Sequence, residues 1–308
     1  MKASIKALLA NFGIRNKYDA DRHSEYTKLK QKLEKSSSVK NTEVAKIVVF
    51  SKDRAMQLDA LLSSYFHYTT NPVPVRILYH ASSAEFSEGY NELQNIFSEK
   101  QVEFVQEKKF KPDLIQLFNR LNCSKVIFMV DDLMFKRNID FGQFTSIDTK
   151  QCVASLRLGN HLNYAYTLEE KQPLPKFEKI ENLLSWSWQK AMGDWAYPLS
   201  LDGHLFDKEE LEILVNGLVY KAPNSFEEAL QLMNPLFAKR RGLCFPTSVI
   251  VNNPCNKVQV ENDNLFGEIS IEQLNQKWLE GFRIEFEEHK DLKNTSAHQE
   301  LRFNFVKR

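Results

Sequence analysis

The sequence predicts an α/β fold built on a mostly parallel sheet with helices on its faces. Short apolar runs rich in β-branched residues alternate with amphipathic helical segments between residues 46 and 160. At 308 residues and 43% hydrophobic content, the chain can bury a full core. No stretch approaches the roughly 18 consecutive apolar residues that a membrane-spanning helix needs.

The alternation can be followed strand by strand. The run Lys46–Phe50 predicts the first strand, and the helix after it carries apolar residues at i, i+3, i+4, i+7 and i+8 from Leu58 to Phe66. The pattern then repeats, with strands at 75–80, 102–105 and 125–130 and helices at 83–97 and around 114–121. Such units imply a Rossmann-like parallel sheet. Since ligands collect at the carboxyl ends of parallel strands, the loops at 51–54, 80–83 and 131–132 should share one edge.

We divide the chain into three regions. Residues 1–45 are a helical extension and linker, 46–160 are the α/β half, and 161–308 are a mixed α+β region of the same domain. Three helices in the last region are predicted from an N-cap residue followed three positions later by Glu or Gln, at Asp207, Ser225 and Ser270.

Composition excludes several function classes. The 41 Lys and Arg residues balance 40 Asp and Glu residues, which argues against a nucleic-acid partner. Four scattered cysteines without C-x-x-C spacing indicate reduced thiols in a cytoplasmic protein. The segment Met1–Gly13 predicts a surface helix, with peripheral contact at the inner face of a membrane as the alternative. The motifs of P-loop NTPases, NAD-binding Rossmann enzymes and α/β-hydrolases are absent from the sequence.

Two adjacent carboxylates, Asp131 and Asp132, follow the most apolar strand of the chain. Two like charges at the ligand edge of a sheet are costly unless a cation neutralises them. A divalent ion, Mn²⁺ or Mg²⁺, would also neutralise a diphosphate leaving group. The chain has only ten glycines, so a glycine-rich phosphate loop is disfavoured. The alternative is a solvated turn in which one Asp caps the next helix.

Two motifs in residues 46–160 resemble those of the GT-A glycosyltransferases. One is the polar loop Ser51–Arg54 after the first strand, and the other is Val130–Leu133, which is similar to the Glu-Asp-Asp-Leu form of the DxD motif. The resemblance implies a nucleotide-sugar donor, with UDP favoured by family frequency, and Asp132 as the direct metal ligand. It also implies that Asp131 faces the ribose or the sugar. Val130 replaces the first acid, so any ribose contact made through it is lost.

The resemblance extends the site to further residues. Ser51, Lys52, Asp53 and Arg54 would lie against the nucleotide, with Arg54 or Lys52 near phosphate or base. Helix N-capping by Ser51 or Asp53 is the alternative and is compatible with that role. Independently of the resemblance, Arg157 and Asn160 follow a later strand beside the same edge and are candidates to hold donor or acceptor hydroxyls, with a surface location of Arg157 as the alternative.

A second group of polar residues lies between Gly193 and His204. Asp202 is the candidate general base, taking the proton from an acceptor hydroxyl, and Asp194 is the fallback base. His204 is a candidate metal ligand or diphosphate-orienting residue. The alternative is that Asp202-Gly203 forms a turn and that His204 is structural.

These observations favour a glycosyltransferase of hexosyl or N-acetylhexosaminyl type that acts on a glycan or lipid-linked glycan hydroxyl, as in bacterial surface-polysaccharide synthesis. If Asp202 is the base, a single in-line displacement would invert the anomeric centre. Two alternatives stay open. One is a non-catalytic GT-A-like glycan-binding or scaffold domain, which the missing acid at Val130 permits. The other is a sugar nucleotidyltransferase, which normally has a glycine-rich first loop.

Overall fold

The computed structural model describes residues 23–36, 44–254 and 269–308. The predicted helix at Met1–Gly13 lies outside the described residues. The α-helices in the described part, in chain order, are α1 (23–34), α2 (Ala55–Tyr68), α3 (Ala84–Ile96), α4 (Phe110–Arg120), α5 (Phe141–Ser146), α6 (Lys208–Gly217), α7 (Pro223–Leu230), α8 (Asn234–Phe237) and α9 (Ile271–Leu279). No helix of these residues is long and apolar enough to cross a membrane.

The strands fall into one large sheet and several two-stranded pairs. In chain order they are β1 (Ala45–Lys52), β2 (Thr69–Thr70), β3 (Val75–His80), β4 (Val102–Gln106), β5 (Lys125–Val130), β6 (Leu133–Phe135), β7 (Ile139–Asp140), β8 (Cys152–Ser155), β9 (Tyr164–Ala165), β10 (Glu170–Lys171), β11 (Glu178–Ile180), β12 (Leu183–Ser187), β13 (His204–Asp207), β14 (Arg241–Cys244), β15 (Ile250–Asn252), β16 (Phe282–Ile284) and β17 (Phe305–Lys307).

The large sheet has nine strands in the order β11-β12-β14-β8-β13-β5-β1-β3-β4. Strands β4, β3, β1 and β5 are parallel neighbours, as the strand–helix alternation predicts. Strand β13 runs antiparallel to both β5 and β8, and β8 is parallel to β14. The fold is therefore α/β with a mostly parallel sheet, and strands from the region after residue 160 continue the same sheet.

Both faces of the sheet are buried, which explains why its central strands read as continuous apolar runs. Successive side chains of a strand point to opposite faces, and along β1 Ile47 and Val49 join one core while Val48 and Phe50 join the other. The first core also takes residues of α2, α3 and α9, and the second takes residues of α1, α4, α6 and α7.

Two of the three helix N-caps predicted from the sequence, Asp207 and Ser270, are confirmed. Asp207 caps α6 by accepting from the Glu210 N–H (3.1 Å), and Ser270 forms a reciprocal capping box with Gln273. The prediction that Ser225 is an N-cap is wrong. The N-cap residue of α7 is Ala222, three residues earlier, and the helix begins at Pro223, because proline is favoured in the first turn, where its missing N–H costs nothing.

Candidate functional site

The loops that follow β1, β3 and β5 lie at one edge of the sheet, as predicted. In the parallel registers, Lys52 is level with His80, and Phe50 is level with Val130. Side chains then tie the loops together: Asp53 Oδ1 accepts from the Ser82 N–H (2.7 Å). This edge is where an α/β sheet binds its ligands.

Asp53 and Ser51 hold the first loop in shape. Asp53 is buried and has a positive φ of 55°, a conformation that Asp tolerates better than most residues. Ser51 Oγ is 2.7 Å from the hydroxyl of Tyr90, which also accepts from the Arg54 N–H. Ser51 and Asp53 therefore stabilise the loop through contacts with α3 and with the loop after β3. Their nucleotide-binding role stays a prediction. Neither of them caps α2, whose N-cap residue is Arg54.

Arg54 connects the two carboxylates that the sequence singles out. Its Nη1 is 3.0 Å from Asp131 Oδ1 and 2.9 Å from Asp132 Oδ2. The other oxygen of Asp131 accepts from the Lys52 N–H (3.0 Å). All three side chains are at most 12% exposed. These acids are therefore not a solvated turn but part of a buried ion-pair network.

Asp132 receives a further hydrogen bond from a distant part of the chain. Asn252 Nδ2 donates to Asp132 Oδ1 (2.9 Å), and the Asn253 N–H donates to the Asp132 carbonyl oxygen (2.9 Å). Burial raises the pKa of Asp132 to about 6, with the charges of Asp131 and Asp202 adding to the rise and that of Arg54 opposing it. Keeping the Asp132 side chain ionised in the folded protein therefore costs free energy.

A second buried arginine holds a second pair of carboxylates. Arg157 Nη1 is 3.0 Å from Asp202 Oδ2, and its Nη2 is 2.6 Å from Asp194 Oδ1. Arg157 is 4% exposed, so the surface location left open by the sequence is excluded. Gln172 also binds Asp194, through both its amide oxygen and its amide nitrogen.

Asp202 lies next to the first network because of the direction of β13. Strand β13 pairs antiparallel with β5, with Leu205 opposite Ile127, and the Gly203 N–H donates to Phe128 O (2.8 Å). Asp202, which precedes Gly203, therefore lies at the carboxyl end of β5, where Asp131 and Asp132 follow. The turn at Asp202-Gly203 requires glycine: its φ is +73°, and a Cβ there would lie 2.5 Å from Ile250. Asp202 is therefore both a turn residue and a member of the site.

His298 completes the second network. Its Nε2 is 3.2 Å from Asp202 Oδ2, and a backbone bridge to Asn252 brings it to this edge. Burial opposes ionisation of His298, but its hydrogen bond to Asp202 and the charge of that carboxylate raise the pKa of the imidazole. Burial by itself would raise the pKa of Asp202; His298 and Arg157 lower it to about 2.

Two predicted site residues lie in different surroundings. His204 is fully buried, with Nδ1 2.9 Å from Pro198 O and its ring beside Trp188 and Phe206. Burial lowers the pKa of His204 to about 3, so the ring is neutral. Its surroundings are those of a core residue, and the metal-ligand role stays a prediction. Asn160 is exposed, and its backbone N–H donates to Pro246 O (3.0 Å).

The donor set around Asp132 fits a hard divalent cation. Carboxylate and amide oxygens are the ligands that Mg²⁺ and Mn²⁺ prefer, and such ions commonly use one or two carboxylates together with substrate phosphates. Asn252 Oδ1 is buried beside Asp132 and has no hydrogen-bond partner among the described residues. The described residues contain no group of three or more His, Cys, Asp or Glu side chains arranged around one point. The cation would therefore need ligands from a bound substrate.

Three residues of this site were missed by reasoning from the sequence. Asn252 is in strand β15 and contacts Asp132. Nothing near His298 in the sequence indicates a role. Glu227, in α7, accepts from the Leu201 N–H (2.9 Å); burial and the charge of Asp202 raise its pKa. The sequence-level signal for Glu227 was only an acid on an amphipathic helix.

Comparison with known proteins gives sequence similarity to a glycosyltransferase. No protein-family model matches the chain. The bifunctional glycosyltransferase pgtA of Dictyostelium discoideum is 25% identical over 211 residues, which are 59% of this chain and 27% of that protein. The chain thus spans about a quarter of the length of this relative.

Solved glycosyltransferase structures are also similar, at low scores. The bifunctional glycosyltransferase WbbM gives a TM-score of 0.36 at 15% identity, covering 67% of this chain and 39% of WbbM. TarS of S. aureus gives a TM-score of 0.43 at 9% identity, and the match covers 73% of this chain and 37% of TarS. The mannosyltransferase PcManGT from Pyrobaculum calidifontis, solved with GDP-Man and Mn²⁺, gives 0.43 at 12% identity, covering 78% and 68%. The sequence comparison thus relates the chain to a glycosyltransferase without fixing its donor, metal or acceptor.

Proposed function

We propose that the chain is a divalent-cation-dependent glycosyltransferase of the GT-A type. It transfers a sugar from a nucleotide-diphosphate donor, UDP-linked in our proposal, to a hydroxyl of a glycan or lipid-linked glycan. One observation carries the proposal: two arginine-held carboxylate pairs, Asp131-Asp132 and Asp194-Asp202, meet at the carboxyl edge of an α/β sheet. Sequence similarity to a glycosyltransferase over 211 residues supports it.

Asp132 and Asn252 are the residues that would hold the cation. When bound, a divalent cation neutralises the charge that develops on the diphosphate leaving group. Arg54 lies beside Asp132 with a planar, permanently charged guanidinium, which suits bidentate contact with phosphate oxygens. Asp131, fixed by the Lys52 N–H, is assigned to the ribose or the donor sugar.

The acceptor side is assigned to the cluster around Arg157. Asp202 and His298 form a hydrogen-bonded pair, and we assign removal of the acceptor proton to this pair. A carboxylate with a pKa of about 2 is a weak base alone, because proton transfer is most efficient when the pKa lies near the working pH. Asp194 anchors Arg157 and is assigned a positioning role in place of the fallback base. A base on this side favours a single displacement with inversion.

The proposal is tested by calorimetry with nucleoside diphosphates, with and without Mn²⁺. We expect a nucleoside diphosphate to bind more tightly when Mn²⁺ is present. If Mn²⁺ does not change nucleotide binding, the proposal of a metal-dependent transferase is refuted. Asp132→Ala should abolish the Mn²⁺ dependence; unchanged binding would refute Asp132 as the ligand.

Asp202→Asn should reduce turnover by about 10²–10⁴-fold with nucleotide binding intact. Full turnover in this variant would place the base elsewhere.

A non-catalytic glycan-binding domain is the second candidate. It is favoured by Val130 at the position of the first acid and by Arg54, which already neutralises the carboxylate pair in part. This candidate predicts glycan binding that neither Mn²⁺ nor a nucleoside diphosphate changes, with no sugar transfer from any nucleotide sugar.

A further inference from the structure

The contacts of Arg54 have a consequence for how ligands enter the site. A single nitrogen, Nη1, lies within 3.0 Å of both Asp131 Oδ1 and Asp132 Oδ2. The side chain of Arg54 is 8% exposed, so solvent screens these contacts little. The guanidinium therefore already acts as the cation between the two carboxylates.

A divalent cation on the same carboxylate must compete with this guanidinium. Asp132 Oδ1 accepts from Asn252 Nδ2, and Asp132 Oδ2 accepts from Arg54, so both oxygens have donors in the described state. A metal ion at Asp132 Oδ2 would bring two positive charges against Arg54 in a poorly screened space. Because of this repulsion, the cation and the Asp132–Arg54 contact weaken each other at this oxygen.

A diphosphate removes the conflict because it offers Arg54 a second anionic partner. Guanidinium groups bind phosphate oxygens through two parallel hydrogen bonds, and the diphosphate also supplies ligands to the metal. Arg54 is the N-cap residue of α2 in the loop after β1, and its backbone N–H is fixed by the Tyr90 hydroxyl (3.2 Å). Its side chain can therefore change partner while its backbone keeps its place.

We propose that Arg54 is the resident counter-ion of the Asp131-Asp132 pair and that it makes the binding of a divalent cation and of a nucleoside diphosphate mutually dependent. The inference rests on the proposed function for the identity of the two ligands. Without diphosphate, Arg54 keeps the cation off Asp132, and with diphosphate it leaves Asp132 and binds the phosphates. The free protein therefore binds the metal weakly.

The test measures Mn²⁺ binding by calorimetry in wild-type protein and in Arg54→Gln, with and without UDP. In wild-type protein we expect UDP to increase the affinity for Mn²⁺ by about tenfold or more, in the range usual for coupled sites. Arg54→Gln should bind Mn²⁺ alone about tenfold more tightly than wild type and should lose most of the effect of UDP. Arg54→Lys keeps the charge and should bind Mn²⁺ alone weakly, as wild type does.

Thermal unfolding provides a second readout that needs no nucleotide. Arg54→Gln leaves two carboxylates without their counter-ion, so its midpoint should fall, and Mn²⁺ should restore it. The matched control is Arg283→Gln, which breaks another arginine–carboxylate pair with a buried partner, Asp59 (2.7 and 3.0 Å). The thermal unfolding midpoint of Arg283→Gln should also fall, and the addition of Mn²⁺ should not raise it.

The outcomes separate this inference from the proposed function. If Arg54→Gln and wild type bind Mn²⁺ equally in the absence of UDP, or if Mn²⁺ restores both variants alike, the role of Arg54 is refuted while the metal site stands. If wild-type protein binds no Mn²⁺ even with UDP present, the proposed function fails, and the inference fails with it.

Discussion

Asp132→Asn is expected to make the free protein more stable while it removes cation binding. The side chain of Asp132 is 12% exposed and lies near the charges of both Asp131 and Asp202. Its ionised form is therefore held in a place that a neutral side chain would occupy at lower cost. Asn has nearly the same shape and can keep a hydrogen bond with the amide of Asn252.

The magnitude follows from the shift in the pKa of Asp132, from 3.8 to about 6. Each pKa unit corresponds to about 1.4 kcal/mol, so the ionised carboxylate costs on the order of 3 kcal/mol at neutral pH. This shift already includes the attraction of Arg54 for the carboxylate. In the variant, the oxygen that accepts from Asn252 leaves the new amide nitrogen facing Arg54 Nη1, a donor against a donor, and this offsets about 1.5 kcal/mol. We therefore expect the free energy of unfolding to rise by about 1–2 kcal/mol at about pH 7.5.

The pH dependence gives the sign of the effect. The folded pKa of Asp132 lies above its unfolded value, so the wild-type chain gains stability relative to the variant as the pH falls from about 6 to 3.8. The difference in the free energy of unfolding between the variant and wild type should be largest above about pH 7 and should decrease below about pH 6.

Urea unfolding followed by circular dichroism, without divalent cations, at about pH 7.5 and about pH 5, measures both effects. Asp131→Asn is the control: its single amide oxygen can accept from the Lys52 N–H or from Arg54 but not from both, and the free energy of unfolding should fall by about 1–3 kcal/mol. An Asp132→Asn protein that is less stable than wild type at about pH 7.5, or a difference that does not change with pH, would show that the ion pair with Arg54 is favourable on balance.

Two further substitutions test the packing around the site. Arg157→Gln should lower the free energy of unfolding by about 3–5 kcal/mol, because it leaves two nearly buried carboxylates without their arginine. The exposed pair of Arg241 and Glu178 is the control: Glu178→Gln should cost less than about 1 kcal/mol, and equal losses in urea unfolding would contradict the burial argument. Gly242→Ala should cost about 1–3 kcal/mol, because the new Cβ would lie 2.3 Å from the ring of Trp186. An unchanged thermal midpoint would show that the ring can move aside.

The parallel half of the fold could be predicted because its signals are local. Each apolar strand and each amphipathic helix between residues 46 and 130 is complete within a few residues, and the parallel order then follows from chain connectivity. The edge at which Ser51–Arg54 and Asp131-Asp132 meet is a consequence of that order. The start of α7 was misplaced because two capping signals lie close together, and the proline outweighed the serine.

The remainder of the site could not be predicted because it depends on long-range pairing. Asn252 reaches Asp132 only because β15 pairs with β6, and His298 reaches Asp202 through a backbone bridge with Asn252. The antiparallel direction of β13 carries no sequence signal, yet it decides that Asp202 lies at the same edge as Asp132. His204, two residues further along, falls among aromatic side chains for the same reason, because its environment is set by this strand.

The charges at this edge suggest why a divalent ion suits the site better than another side chain. Arg54 and Arg157 each hold two carboxylates, so two arginines face four acids. Among these six side chains, which are at most 12% exposed, two negative charges remain without a counter-charge. A lysine in the gap would cancel one of them, whereas a divalent cation cancels both and still accepts phosphate oxygens as ligands. The same balance explains the position of Arg54. In the free protein it limits the repulsion between Asp131 and Asp132, and the cation takes over this role once a diphosphate has drawn the guanidinium away.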